Sequence, residues 1–246
     1  MNYKRLTPDF IRIESVDSTN NFAVNLLRDA KPTAGTTVLT KRQTAGKGQR
    51  GNTWEVDPDQ NLTFSVIVYP EIPVEQVHQL NFMVALALTK ALRTFIPSVL
   101  IKWPNDLLVG SKKIAGVLIE NQFRGNQVAS SVIGIGVNVN QVVFSSSLNA
   151  CSLKSILDLD FDLEKVFLEI YSQLDFYLNL LMEQNFTLLS KSYHDNLFGK
   201  DELRKFIDAK GEFTGIILGV DDKGLLKIKC NEGVRKFDLK EIRFVF

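Results

Sequence analysis

The stretch VLIKWPNDLLVGSKKIAGVLIENQFRGNQVASSVIGIGVNV, residues 99–139, decides the fold. It holds four runs rich in Val, Ile and Leu, at 99–103, 107–109, 113–120 and 128–139. Gly110-Ser111 and Arg124-Gly125-Asn126 separate the later runs, and such short turns suit antiparallel hairpins. If Gly110-Ser111 is a two-residue turn, Leu108 pairs with Lys113. Asp106 is then the diagonal neighbour of Lys113 on the same face, about 7–8 Å away and within reach of a lysine side chain.

Upstream, residues 18–27 (STNNFAVNLL) predict a short helix capped by Ser18, with Phe22, Leu26 and Leu27 on its apolar face. TTVLTKRQ (36–43) is β-branched and reads as a strand, followed by a loop with glycines at 46, 48 and 51. NLTFSVIVY (61–69) is a second strand, stopped by Pro70 and Pro73. Val77, Leu80, Val84, Leu88 and Leu92 recur at three- and four-residue spacings, predicting a helix over 75–92 that buries one stripe. Leu163, Phe167, Ile170, Leu174, Leu178 and Leu181 mark a long amphipathic helix. After residue 198 the texture changes to short strands punctuated by Asp-Asp-Lys-Gly and Asn-Glu-Gly turns. The expected architecture is α+β: a mixed, mainly antiparallel sheet with helices over 1–198, then a small SH3-like β-barrel over 199–246.

Composition narrows the function classes. Of 246 residues, 45% are hydrophobic and 23% charged, the balance of a globular domain rather than a disordered or collagen-like chain. With 29 basic and 28 acidic side chains the net charge is +1, which argues against wholesale nucleic-acid binding. Cys151 and Cys230 form no CxxC pattern, and His78 and His194 stand alone, so neither a zinc site nor a histidine-based triad has support. No leader-like apolar segment opens the chain and no apolar run reaches membrane-span length, so the expected location is the cytoplasm, with no membrane partner.

Gly46-Lys47-Gly48-Gln49-Arg50-Gly51 matches the GxGxxG expression and follows a strand. A dinucleotide site would next need a helix to hold the pyrophosphate, but Pro58 and a second strand follow, so that reading fails on context. What remains is a strand–loop–strand carrying Lys47 and Arg50, preceded by Lys41 and Arg42 and closed by Trp54. It is either a solvated basic turn or a cationic lid for an anionic ligand.

Lys102-Trp103-Pro104-Asn105-Asp106 places a cation, an amide and a carboxylate beside a proline. Lys113 heads a strand otherwise built of Ile, Val and Leu, where a lysine either snorkels to water or needs a partner. Lys112 stands beside it. Glycines at 134 and 136 in GIGVNVN weaken a strand interior and mark either a bulge or the close approach of a ligand.

Taken in order, VDSTNNFA, QTAGKGQRGNTW, KWPNDLLV, KIAGVLIE and GIGVNVN resemble the biotin–protein ligases of the kind without a DNA-binding domain. The resemblance implies a class II synthetase-like catalytic domain of the biotin/lipoate ligase type and a C-terminal SH3-like domain. It also implies activation of biotin by Mg–ATP to biotinyl-5′-AMP, then transfer of biotin to a lysine of a biotin carboxyl carrier protein. Carried over by motif, Ser18, Thr19, Asn20, Gln43, Gly46, Lys47, Gly48, Gln49, Lys113 and Gly116 would bind biotin. Lys47, Arg50, Trp54, Lys102, Asn105, Lys113 and Asn138 would hold ATP or the adenylate, with Lys113 and Asp106 catalytic. Mg2+ is expected with ATP, its ligands unassigned. Gln49 and Asn52 stand where many members carry arginines, implying weaker retention of the adenylate. A lipoate or octanoyl ligase or transferase is the nearest alternative. A biotin-sensing repressor is disfavoured, since the 13 residues before Glu14 leave no room for a helix-turn-helix. A nucleic-acid role for the small barrel is disfavoured too, by its 11 basic against 9 acidic residues over 200–246. The chain would act as a monomer or a homodimer.

Overall fold

The computed structural model describes residues 6–246, apart from Ser147 and the side chain of Arg50. Thirteen strands and five α-helices are assigned among these residues. In chain order the first part runs β1 (Asp9–Val16), α1 (Thr19–Asp29), β2 (Thr36–Gln43), β3 (Leu62–Val68), β4 (Ile72–Pro73) and α2 (His78–Leu92). It continues through β5 (Val99–Lys102), β6 (Asp106–Val109), β7 (Lys112–Arg124), β8 (Gln127–Val137), α3 (Leu153–Leu157), α4 (Leu163–Met182) and α5 (Phe186–Asp195). The last stretch holds β9 (Leu203–Asp208), β10 (Gly211–Val220), β11 (Leu226–Cys230), β12 (Gly233–Phe237) and β13 (Arg243–Phe244).

The large sheet has the order β1-β2-β3-β8-β7-β6-β5, with β4 added to the end of β8. Only β1 and β2 pair in parallel, and α1 is the crossover between them. The hairpin register read from the sequence is present: Leu108 faces Lys113 and Val109 faces Lys112. A bulge then shifts the ladder so that Leu107 faces Ala115, which adds local twist at the hairpin carrying Asp106.

Alternation along β3 assigns the two faces of this sheet. Phe64 and Val66 point to the main core, where Phe64 meets Phe167 of α4 edge-to-face at 5.1 Å between ring centres. Thr63, Ser65 and Ile67 point the other way, toward α1; Ile67 packs there with Ala23, Val38 and Val132. The helices α2, α4 and α5 pack against one another on the core side. There α2 departs from the expected single stripe, since only Asn81 and Lys90 escape full burial. A helix covered by sheet on one side and by two helices on others has no solvent face to keep polar.

The second sheet, β12-β11-β10-β9-β13, is antiparallel throughout. It joins the first part through polar contacts. Trp103 Nε1 donates to the Gly224 carbonyl at 3.1 Å, and the Val220 N–H donates to His194 Nε2 at 2.7 Å. The turn at Gly224 (φ +85°) lies against His78, where a Cβ would come within 3.0 Å of the His78 Cβ. No helix among the described residues is long and apolar enough to cross a membrane.

Candidate active site

Three segments meet on the α1 side of the sheet around an open-sided cavity with an empty volume of about 680 Å³. Its floor is two cross-strand rows that share one face. One row is Gly116, Gly136 and Thr63 on β7, β8 and β3; the next is Leu118, Gly134 and Ser65. The three glycines give this floor its depth. A Cβ on Gly134 would collide with the Asn20 amide, one on Gly136 with the Trp54 indole, and one on Gly116 would lie 2.9 Å from Lys113 Nζ.

Ser18, Thr19 and Asn20, at the start of α1, form the first wall with Gln43 at the end of β2. Ser18 occupies the N-cap position without making a capping hydrogen bond, contrary to the expected cap. Its side chain is buried and lines the cavity instead. The Thr19 N–H donates to Gln43 Oε1 at 2.8 Å, with Thr19 Oγ1 3.2 Å from the same oxygen. These bonds fix the Gln43 carbonyl toward α1 and leave its NH2 end by Gly46. A Cβ on Gly46 would lie 2.8 Å from Gln43 Nε2 and would also strike the Trp54 carbonyl oxygen, so only glycine lets the loop approach this closely. Asn20 donates to Glu120 Oε2 at 2.8 Å and accepts from Ser65 Oγ at 2.6 Å. Its amide is therefore oriented by residues two strands apart.

The loop after β2 is a tied hairpin. Lys47 bridges to Thr53, Gly48 N donates to the Asn52 carbonyl at 2.7 Å, and Trp54 N donates to the Gly46 carbonyl at 3.0 Å. Lys47, Gly48, Gln49 and Trp54 all line the cavity. Lys47 Nζ donates to Asn21 Oδ1, and Asn21 donates in turn to the Asp17 carboxylate. The Asn21 hydrogen bond, the Ser18 N–H and the Lys47 charge together hold the Asp17 carboxyl below its ordinary range. Arg50 falls in the short 3-10 turn Gln49–Gly51, and its side chain lies outside the described residues.

The third wall is the β6–β7 hairpin. Lys113 Nζ lies 2.6 Å from Asp106 Oδ1 and Lys102 Nζ 3.5 Å from Oδ2, so two ammonium groups bracket one carboxylate. Lys113 also sits over the Trp54 ring, 5.5 Å from its centre. Its backbone is fixed on both sides, N–H to the Asn149 carbonyl and carbonyl to the Cys151 N–H, each at 2.9 Å. Tyr193 braces the preceding turn by donating to the Pro104 carbonyl at 2.7 Å; full burial, with the nearby Asp106 charge, raises its phenol well above the ordinary range.

Several expected ligand residues lie behind the cavity rather than in it. Asn138 is buried and donates to the Cys151 carbonyl at 3.0 Å and toward the Lys113 carbonyl at 3.4 Å, bracing the lysine's backbone. Asn105, also buried, donates to the Val117 carbonyl at 3.1 Å. Lys102 reaches the site only through Asp106. The cationic cluster thins in the same way, because Lys41 pairs with Glu14 and Asp59 along a separate groove. Lys47 and Lys113 are the lysines that line the cavity. Thr63, Ser65 and Glu120 were absent from the sequence-based site. Two were legible, since a Thr and a Ser two apart in an apolar strand mark one polar face.

A tied hairpin carrying Lys47 over a glycine floor, with a lysine–carboxylate pair at its edge, has the chemistry of a class of proteins that enclose a small organic anion. Residues 12–138 match the family described as Biotin/lipoate A/B protein ligase, and residues 205–239 match the Biotin protein ligase C terminal domain. The chain is 31% identical over 226 residues to the bifunctional ligase/repressor BirA of Bacillus subtilis, covering 90% of this chain and 69% of that protein. It is 38% identical over 126 residues to the biotin–[acetyl-CoA-carboxylase] ligase of Paracoccus denitrificans, covering 50% and 51% of the two chains. Its fold overlays the biotin protein ligase from Aquifex aeolicus in complex with biotin and ATP, with a TM-score of 0.80, 27% identity, and coverage of 97% and 100%. The chain belongs to the biotin/lipoate A/B protein ligase family. Within that family it stands with the ATP-dependent biotin–protein ligases rather than the lipoate ligases.

Proposed function

We propose that this chain activates biotin with Mg–ATP and transfers it to one lysine of a biotin carboxyl carrier domain in the cytoplasm. The observation that carries this reading is the Lys113–Asp106 pair at the edge of a glycine-floored cavity beneath the Lys47 hairpin. In the first step a biotin carboxylate oxygen bonds to the α-phosphorus, the bond to the β-phosphate oxygen breaks, and pyrophosphate leaves. Both reactants are anions, so a fixed cation where they meet lowers the barrier. Lys113 supplies it, with its ammonium preset by Asp106 and its backbone held by Asn149, Cys151 and Asn138. In the second step the carrier lysine's amine attacks the acyl carbon, AMP departs, and the amine loses a proton as the amide forms. Asp106 positions the reacting groups here.

Ser18, Thr19, Asn20, Gln43 and Gly116 form the biotin side of the cavity, with Gly46 packed against Gln43, and Lys47, Gly48, Gln49 and Trp54 form the lid over biotin and nucleotide, with Arg50 next to Gln49 in the chain. Gln49 and Asn52 leave that lid neutral at two positions. Asn105, Lys102 and Asn138 act from behind, through Val117, Asp106 and Lys113. Among the described residues no three His, Cys, Asp or Glu side chains gather to hold a metal ion. Mg2+ enters with the triphosphate as part of the substrate, neutralising phosphate charge. The chain divides near residues 198 and 199 into a catalytic unit and the unit of the second sheet.

The test is biotin- and ATP-dependent labelling of an apo carrier domain, with pyrophosphate release measured separately. Labelling with biotin and not with lipoate is the expected result. Pyrophosphate release driven by lipoate alone would overturn the assignment.

A further inference from the structure

The second sheet touches the active-site hairpin at the two residues that precede Pro104, from two different places. The turn after β10 offers the Gly224 carbonyl to Trp103 Nε1 at 3.1 Å. From β13, the centre of the Phe244 ring lies 5.4 Å from Lys102 Nζ. That is inside the roughly 6 Å over which a ring face attracts an ammonium group. The ring is itself fixed, because Phe244 pairs with Phe206 across β13 and β9 and the two rings meet edge-to-face at 5.3 Å. Phe206 is fully buried, so this support is packed on all sides.

Lys102 is also the cross-strand partner of Asp106, with Nζ 3.5 Å from Oδ2 and a side chain only 25% exposed. The other carboxylate oxygen, Oδ1, is taken by Lys113 at 2.6 Å. A lone lysine–carboxylate pair is neutral, and the charge of its ammonium is already answered. A second lysine on the opposite oxygen changes the balance, since two ammonium groups and one carboxylate carry a net charge of +1. Lys113 lines the cavity, so it can turn charge toward an incoming anion while Asp106 keeps a counter-ion. How well this works depends on where the Lys102 ammonium is held. A lysine side chain is long and flexible and has no fixed position of its own. Phe244 supplies one.

We propose that Phe244 is a positioning residue for the reaction: it holds Lys102 against Asp106 and so leaves the Lys113 charge available where the two anions meet. This deepens the biotin-ligase reading and rests on it.

The experiment measures single-turnover pyrophosphate release from biotin and Mg–ATP, with thermal melting of each protein alongside. Phe244→Leu keeps an apolar side chain against Phe206 but removes the ring face. It is expected to slow release about fivefold, the worth of an ammonium–ring contact at a part-exposed site. Phe244→Tyr retains the face and should retain the rate. Lys102→Gln should lose at least as much as Phe244→Leu, and combining the two should cost nothing further, since the ring acts through that lysine. Phe213→Leu weakens the same sheet at a ring that packs on Phe206 and Phe237 and lies under Arg235; its rate should match wild type. Additive losses in the double variant overturn the proposal. So does a full rate in Phe244→Leu, a Phe244→Tyr as slow as Phe244→Leu, or an equal loss in Phe213→Leu. Wild type that releases no pyrophosphate with biotin and ATP overturns the biotin-ligase reading instead.

Discussion

At Lys113 the alternative of a lysine merely reaching for water is answered by its surroundings. Its head is 2.6 Å from Asp106, its side chain 34% exposed, and its two backbone polar groups are both bonded. A preset cation adds most where charge gathers in a transition state, because no reorganisation is then needed. Lys113→Ala is therefore expected to slow single-turnover adenylate formation by about 10²–10³-fold, the usual loss for removing one such donor, while the melting temperature hardly moves. Quenched-flow measurement of pyrophosphate release checks it. Gly134 makes a complementary prediction, because its missing side chain is the room taken by the Asn20 amide. Gly134→Ala should push Asn20 off Glu120 and Ser65 and weaken biotin binding at least tenfold, with the far-ultraviolet circular dichroism preserved. Calorimetric titration reads the affinity. Full affinity in that variant would mean Asn20 plays no part in recognition.

Among the elements, those with strong local patterning were legible and those fixed by distant partners were not. The β5–β8 hairpins were plain in the alternation and turns of residues 99–139, down to Leu108 opposite Lys113. By contrast β1 mixes Asp9, Arg12, Glu14 and Ser15 with its apolar residues, and only pairing with β2 makes it a strand. Ser18 looked like a cap because Ser before a helix usually is one, yet the cavity takes its side chain. Asn105 and Asn138 carried family motifs but act on backbone, a role set by which carbonyls the fold brings near. The Lys47 hairpin shows the same dependence: its position relies on Asn21, a residue of α1, holding Lys47. Asn21→Ala should release the hairpin, so trypsin cleavage after Lys47 or Arg50 in the ligand-free protein should quicken several-fold. Biotin and ATP together should restore protection; an unchanged cleavage rate would show that Lys47 is held by something else.

For the molecule as a whole, the second sheet docks through the turn that follows Val220, and His78 lies beneath it. Burial holds the His78 imidazole below its ordinary pKa, partly countered by a backbone hydrogen bond and by Asp221 and Asp222. A histidine whose folded pKa is depressed is neutral in the native state and gains its proton more readily once unfolded, so stability is intact above pH ~6.5 and falls as pH drops below it. Denaturant midpoints should decline from pH 7.5 to 5.5, and His78→Gln should flatten that decline; an equal decline in the variant would place the cause elsewhere. The bracketed carboxylate at Asp106 carries one further consequence. The chain as a whole is nearly neutral, at +1, so the positive charge of Lys47, Lys102 and Lys113 fades into solvent within a Debye length of about 8 Å. On the proposed reading, a nucleotide is not drawn in from a distance but meets the charges of Lys47 and Lys113 only on arrival. Its rate of capture should stay nearly flat as ionic strength rises, and added salt should instead shorten the time it remains bound.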